Sequence, residues 1–521
     1  MGIQRELPIV GAYYFGNAGV PNFWQSVRTS NLERELQVFR EDGFNTVFLV
    51  VPWAGLQPST SPVAYDSQSL ELLSRIFDSA EKNGLNVGMR LAFLWESTQS
   101  TDRTFTRLGN IFTSDELQAA WCDYFRTISQ HVSKRPNLGP CFLSWEDFYW
   151  PCYDPAIRPR HESDGFNLQE FFQRVGFQSY LERRMPRGVH VPQLRTLREH
   201  SELWGEFLSY WDSAVERLYR LAEKEFSGLG YEFRSDSEHI PKLGGQLFYH
   251  YHRREFSRGF APTTYYNQFT IRQEDLLKNF EEWLDFHDKE LGCPVFLSQF
   301  NFIDNTYDAT DHQALRAQLG VRDMSEQGAL KFLREIPTVL ARRTAGYAFW
   351  AYRDIVNDSL YNSSFERGLE GFESCGECAV DRRQSGEAVV RMSASAQIWQ
   401  ELRSVAVSPV DCDGRVLVDG ICHSAAVVRV AYWANEVVIR VEPGPFTIEL
   451  PNTPQSDQAT TYLHCFLVRC EEGEIEVDKL ALFSIIFTNV MYDRNLTPRP
   501  VVEEVRRLNA RVLEISRAQP T

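Results

Sequence analysis

Short apolar runs at 9–15, 46–51, 86–92, 140–146, 231–235, 262–269, 294–300 and 345–351 punctuate the first part of the chain. Between most of them lie longer stretches, 31–42, 67–83, 114–133, 202–225, 274–291 and 325–342, with apolar positions three and four residues apart. The first pattern predicts buried strands and the second amphipathic helices. Ser67 and Ser114 stand where N-caps belong, and Gly43, Gly84 and Gly292 follow helices as stops. Near-continuous apolar strands alternating with helices predict a parallel sheet covered by helices. Eight such strands in about 350 residues predict a closed (β/α)8 TIM barrel rather than an open sheet. No GxGxxG follows the first strand, which removes the main reason to expect a dinucleotide site. The segment 150–196 breaks the alternation. It is rich in Pro and Arg and reads as a loop inserted after the fourth strand on the functional face.

Beyond residue 371 the pattern changes to short alternating or β-branched runs at 415–419, 425–433, 436–442, 461–469 and 481–489. Turn residues every 8–12 positions or so make this an antiparallel β-sandwich. A charged amphipathic stretch at 500–518 predicts a helix. The expected organisation is a catalytic barrel at 1–371 with an insertion at about 150–196, a sandwich at 372–495 and a C-terminal helix within 496–521 that packs back on the protein. Trp399, Tyr432, Trp433, Tyr462 and Tyr492 are spread through apolar strands instead of grouped in a turn. The sandwich therefore reads as a buttress fused to the barrel.

Composition narrows the function. Thirty-six Phe, 21 Tyr and 12 Trp in 521 residues supply a large core. With 54 basic and 70 acidic residues the net charge is −16, which argues against a nucleic-acid face or a surface for anionic lipid. No apolar run approaches the roughly 20 residues of a membrane span, and no signal-type segment opens the chain. Ten cysteines are too few for a disulfide scaffold, so a reduced, cytoplasmic protein is expected. Cys375 and Cys378 have CxxC spacing without a second pair, and His239, His250 and His252 do not fall at zinc-site distances. No metal is expected.

In a barrel of this kind the chemistry lies at the C-terminal ends of the strands. Trp53 ends the second strand, Arg90 and Trp95 the third, Trp145, Glu146 and Asp147 the fourth. Arg234, Asp236 and Glu238 follow the fifth, Tyr265 and Tyr266 the sixth, Gln299 and Asn301 the seventh, and Trp350 the eighth. Carboxylates, Arg, Asn and aromatic rings meeting in one mouth suit a sugar: rings stack on pyranose faces and polar groups read hydroxyls.

In the order of these residues the chain resembles the retaining glycoside hydrolases of the (β/α)8-barrel clan that includes cellulases, mannanases and β-galactosidases. The resemblance covers roughly residues 8–360. It implies an acid/base Glu on the fourth strand and a nucleophilic Glu on the seventh, which fall on Glu146 and position 299. Arg90, Tyr265 or Tyr266, and Trp350 fit the supporting places. It implies an oligosaccharide or glycoside as substrate and no cofactor, since an acid and a nucleophile suffice to cleave an acetal by double displacement. Two departures stand out. The seventh-strand signature, Ser/Thr-Glu-Phe-Gly in the clan, reads Ser298-Gln299-Phe300-Asn301 here. A neutral amide cannot form the glycosyl ester, and Gln for Glu is the conservative way to silence such a site. In the fourth strand, Trp145-Glu146 is followed by Tyr149-Trp150-Pro151 where Asn-Glu-Pro is usual, so one register makes Glu146 the acid and the other puts Trp150 in its place. Two alternatives stay open: a non-catalytic carbohydrate-binding protein on a decayed glycosidase barrel, and an inverting enzyme using Glu146 with Asp236 or Glu238.

Overall fold

The computed structural model describes residues 8–16, 23–93, 107, 109–144, 148, 168–184, 197, 200–232, 261–266, 276–291, 293–301, 326–353, 355–358, 360–402, 414–432, 435–452, 464–487, 491–493 and 496–518. Its first sheet holds eight parallel strands: β1 Ile9–Tyr13, β2 Thr46–Pro52, β3 Asn86–Phe93, β4 Leu138–Leu143, β5 Gly230–Tyr231, β6 Ala261–Tyr266, β7 Val295–Asn301 and β8 Thr344–Phe349. Their order is β5-β4-β3-β2-β1-β8-β7-β6, so each strand lies beside its neighbour in sequence and β1 beside β8. The two strands at the ends of that order also meet. A β-carbon on Gly230 of β5 would lie 3.8 Å from Cγ of Pro262 on β6. The sheet thus curls into a (β/α)8 barrel, as the alternation of runs predicts.

Helices α1 Leu32–Glu41, α2 Ser67–Lys82 and α3 Asp115–Val132 follow the first three strands. The caps sit where expected for α3, with the Ser114 hydroxyl accepting from Leu117 N–H, whereas α2 is capped one residue earlier, by Asp66. The segment after β4 differs from the inserted loop that its composition suggests, because it contains helices α4 Leu168–Val175 and α5 Phe177–Arg184. Phe172 and Phe177 are buried against Phe207 of the long helix α6, Ser201–Glu225. Gly176, at φ +84°, makes the bend between the two short helices in a conformation that Gly adopts without strain. After α7, Leu276–Leu291, the helix expected at 325–342 is two: α8 Glu326–Glu335 and α9 Pro337–Arg343. Pro337 has no N–H to continue the ladder, so it begins a new helix.

Among the described residues the sandwich has eleven strands in two sheets: β9 Ile355–Asp358, β10 Glu373–Cys375, β11 Cys378–Arg382, β12 Ala388–Ser393, β13 Gln397–Leu402, β14 Gly414–Cys422, β15 Ala426–Tyr432, β16 Asn435–Val441, β17 Gly444–Asn452, β18 His464–Glu472 and β19 Glu474–Phe487. One sheet runs β11-β12-β19-β14-β17, with β9 also paired to β19, and the other β10-β13-β18-β15-β16. Strict alternation along β15 buries Ala426, Val428, Val430 and Tyr432 in a core separate from the barrel's. The two units meet through polar groups. Arg28 donates to Asp478 at 2.9 Å, and Arg367 bonds Asp66, Ser69 and the Trp24 carbonyl.

Helix α10, Val501–Ala518, belongs to the barrel in space. Val501, Val502, Val505, Leu508 and Val512 join the barrel's hydrophobic cluster. Asn509 accepts from the Tyr347 hydroxyl on β8 and donates to the Asp42 carbonyl at the end of α1, while Glu504 pairs with Arg334 of α8. It therefore lies between α8 and α1, the place of an eighth barrel helix, and the sandwich interrupts the chain between β8 and that helix.

Candidate active site

Side chains alternate along each strand, so residues two apart share the barrel interior. The lower interior is aromatic. Phe48 of β2 lies 5.4 Å from the Phe296 ring of β7, 6.5 Å from Phe142 of β4 and 5.6 Å from Tyr13 of β1. Gly11 and Gly88 make room for it: a β-carbon would come within 2.9 Å and 2.3 Å of the Phe48 ring.

One step toward the C-terminal ends the character reverses. Arg90 follows Gly88 by two residues, Ser144 follows Phe142, and Ser298 follows Phe296. Glu232 comes directly after β5, where its N–H donates to the Leu143 carbonyl at 2.9 Å and prolongs the β4–β5 pairing. These four residues are fully buried. The Ser144 hydroxyl accepts from Arg90 Nη2 and donates to Glu232 Oε2, with the two charged groups 3.9 Å apart. Ser298 donates to the other carboxylate oxygen at 3.0 Å. Taking two charges out of water costs several kcal/mol per ion, and hydrogen bonds to both carboxylate oxygens are what offset it.

Strand β7 bulges at this level. Leu297 and Gln299 pair with the consecutive residues Thr263 and Thr264 of β6, and Leu297 and Phe300 pair with Tyr347 and Phe349 of β8. Phe300 then packs outward on Phe280 and Phe332 of the covering helices. With Phe296 inside and Phe300 outside, the extra residue turns both Ser298 and Gln299 inward. Gln299 is 1% exposed.

Of the residues singled out in the sequence, the structure brings Arg90 and Gln299 to this layer. Trp350 stands next to it, edge-on to Tyr13 at 4.7 Å and Phe15 at 5.4 Å, and is 8% exposed. Trp53 is elsewhere. It is fully buried, its indole N–H donates to Gln57 at 2.6 Å, and Arg107 covers its ring at 4.9 Å, so no ring face is open to a ligand. Tyr265, Tyr266 and Asn301 end β6 and β7, with side chains outside the described set. Trp95, Trp145, Glu146, Asp147, Arg234, Asp236 and Glu238 lie outside the described residues, as do Tyr149 and Trp150.

Glu232 is not among the residues that the sequence singles out, because three further charges, Arg234, Asp236 and Glu238, follow it within six residues. The available signal is a lone carboxylate directly after the Leu-Gly-Tyr run that enters the fifth strand. Cys141, on the opposite side of β4 from Phe142, is no nucleophile, since burial pushes its thiol up to about 12. Among the described residues no group of three or more His, Cys, Asp or Glu side chains could hold a metal ion, and no helix is long and apolar enough to cross a membrane.

No family model matches the chain, and no curated protein matches it. Among solved structures it is similar to GH5_18 from Streptomyces cattleya in complex with GlcNAc, at 14% identity over 68% of this chain and 72% of that one, TM-score 0.44. It is also similar to the exo-β-1,4-mannosidase Op5Man5 from Opitutaceae bacterium strain TAV5, at 17% identity over 67% of this chain and 53% of that one, TM-score 0.40. The endo-1,4-β-mannanase from Rhizomucor miehei aligns at 10% identity over 67% and 88%, TM-score 0.41. At these scores the likeness carries no argument about this chain's activity.

Proposed function

We propose that the chain is a glycoside hydrolase whose barrel mouth binds an oligosaccharide or glycoside. Glu146 would protonate the departing glycosidic oxygen and later activate water. Position 299 would face the anomeric carbon from the other side, the two groups about 5–5.5 Å apart as retention requires. Trp350 would floor the sugar site, with Arg90 holding the polar layer beneath it. Trp95, Trp145, Asp147, Arg234, Asp236, Glu238, Tyr265, Tyr266 and Asn301 are the remaining candidates for reading hydroxyls. The observation that supports this most is the inward bulge of β7, which turns position 299 into a closed barrel beside a buried Arg–Ser–Glu network. With Gln at 299 the chain is expected to bind sugar and turn it over slowly.

A panel of nitrophenyl β-glycosides, assayed for hydrolysis and for binding by calorimetry between pH 5 and 9, tests the reading. Q299E is expected to raise hydrolysis of at least one glycoside by ~10²-fold over the natural chain, and E146Q to remove that gain. Absence of both binding and hydrolysis for every sugar, with either residue at 299, would overturn it. The second reading, a binding protein on a silenced barrel, would explain the neutral amide at 299. Firm sugar binding with no hydrolysis at any pH by Q299E would select that one.

A further inference from the structure

The buried polar layer bears on why position 299 is neutral. Glu232 is faced, among the described residues, by the Arg90 guanidinium from β3, the Ser144 hydroxyl from the end of β4 and the Ser298 hydroxyl from β7. Both carboxylate oxygens accept a hydroxyl hydrogen bond and the side chain is sealed from water. Gln299 is the next residue after Ser298 on the inward bulge and is equally shut in. A carboxylate there would add a second negative charge to a buried layer that already holds Glu232, one residue along the strand from the Ser298 that bonds it. Two like charges in a water-free site do not both ionise at ordinary pH; one holds its proton. An amide of the same shape adds no charge.

We propose that Glu232 and Gln299 form a matched pair, in which the fifth strand supplies the anion that Arg90 faces and the seventh strand stays neutral because of it. Glu232 is then a positioning residue. It holds the Arg90 guanidinium through Ser144 and sets how much negative charge position 299 can carry. The inference deepens the glycosidase reading and rests on it only for its hydrolytic consequence. There, a Glu introduced at 299 would ionise, and so act as a nucleophile, only at higher pH than it does once the charge at 232 is removed.

The test compares the full-length natural chain, Q299E, E232Q and Q299E/E232Q by thermal melting from pH 5 to 9. Q299E is expected to melt ~5 °C below the natural chain at pH 8. The gap should close toward pH 5, because a carboxyl whose folded pKa is raised stabilises below its unfolded pKa and loses that contribution as pH rises through the folded one. Q299E/E232Q carries the anion on the other strand and should melt within about 2 °C of the natural chain at every pH. If Glu232 were only a structural carboxylate, the losses of the two single variants would add. Additive losses, a Q299E as stable as the natural chain at pH 8, or a double variant that does not fold each overturn the proposal. Should E232Q alone be insoluble, the other three proteins still decide.

The second readout is the pH profile of aryl β-glycoside hydrolysis. Its acid limb is expected about one pH unit higher in Q299E than in Q299E/E232Q. If melting behaves as stated and no glycoside is cleaved, the pairing stands and the glycosidase reading falls. If hydrolysis appears and the melting losses add, the reverse holds.

Discussion

Two layers of the same barrel, one side-chain step apart, are built on opposite principles. The lower one is a set of aromatic rings around Phe48, packed so closely that Gly11 and Gly88 are needed beside it. The upper one consists of Arg90, Ser144, Glu232 and Ser298, held by hydrogen bonds between groups that would each be costly to bury alone. The lower layer is specified by volume, the upper by charge and direction. Strand periodicity carries both, since residues 88 and 90, 142 and 144, and 296 and 298 are successive interior positions on three strands.

The largest effect should come from adding one methyl group below. In G88A the new β-carbon would lie 2.3 Å from the Phe48 ring, in a strand paired on both sides. A loss of about 3 kcal/mol or more is expected by urea unfolding, with much of it recovered in G88A/F48L. At the upper layer the same measurement on S144A should give a smaller loss, ~1–3 kcal/mol, because a hydrogen-bond link between two buried charges is removed while the packing stays. A loss in S144A equal to that in G88A would break the distinction between the layers.

The smallest effect concerns a charge pair on the barrel's outer wall. The Arg334 guanidinium, and after it Arg507, holds the Glu504 carboxyl below the usual carboxylate range. Its contribution is present at neutral pH and is lost as pH falls through that lowered pKa. The natural chain should therefore be slightly more stable than E504Q at neutral pH, by less than S144A loses, and the difference in acid titrations of stability should close as pH falls below about 4.5. A pair open to water on one side is worth that little, which sharpens the contrast with the sealed pair at the mouth.

The barrel was legible in the sequence because each strand's apolar run is nearly continuous and each helix shows its own period. Six sandwich strands were not. Glu373–Cys375 and Cys378–Arg382 are mostly exposed edges with no buried alternation to read, and Ile355–Asp358 is only four residues long. Arg90 and Gln299 were legible from strand ends and from the Ser-Gln-Phe run. Glu232 was not, because the fifth strand, Gly230–Tyr231, is two residues long and gives no periodic signal to mark where the interior begins. The bulge in β7 was also hidden. Nothing in Leu297-Ser298-Gln299-Phe300 announces an extra residue; the register shifts against β6 and β8 and the outward packing of Phe300 reveal it.

The position of α10 sets an order on the making of this molecule. Its eighth covering helix follows the entire sandwich in the chain, so the part of β8 around Tyr347 waits uncovered until residues 501–518 have left the ribosome. Synthesis at about 5–20 residues per second makes that delay on the order of ten seconds. During it the Tyr347 side has no Asn509 to bond, and the apolar stripe destined for Val505, Leu508 and Val512 is uncovered. The sandwich, by contrast, completes its own core within one continuous stretch. The barrel that starts first is therefore the unit that finishes last, and its maturation depends on the intervening unit folding in time to bring α10 back.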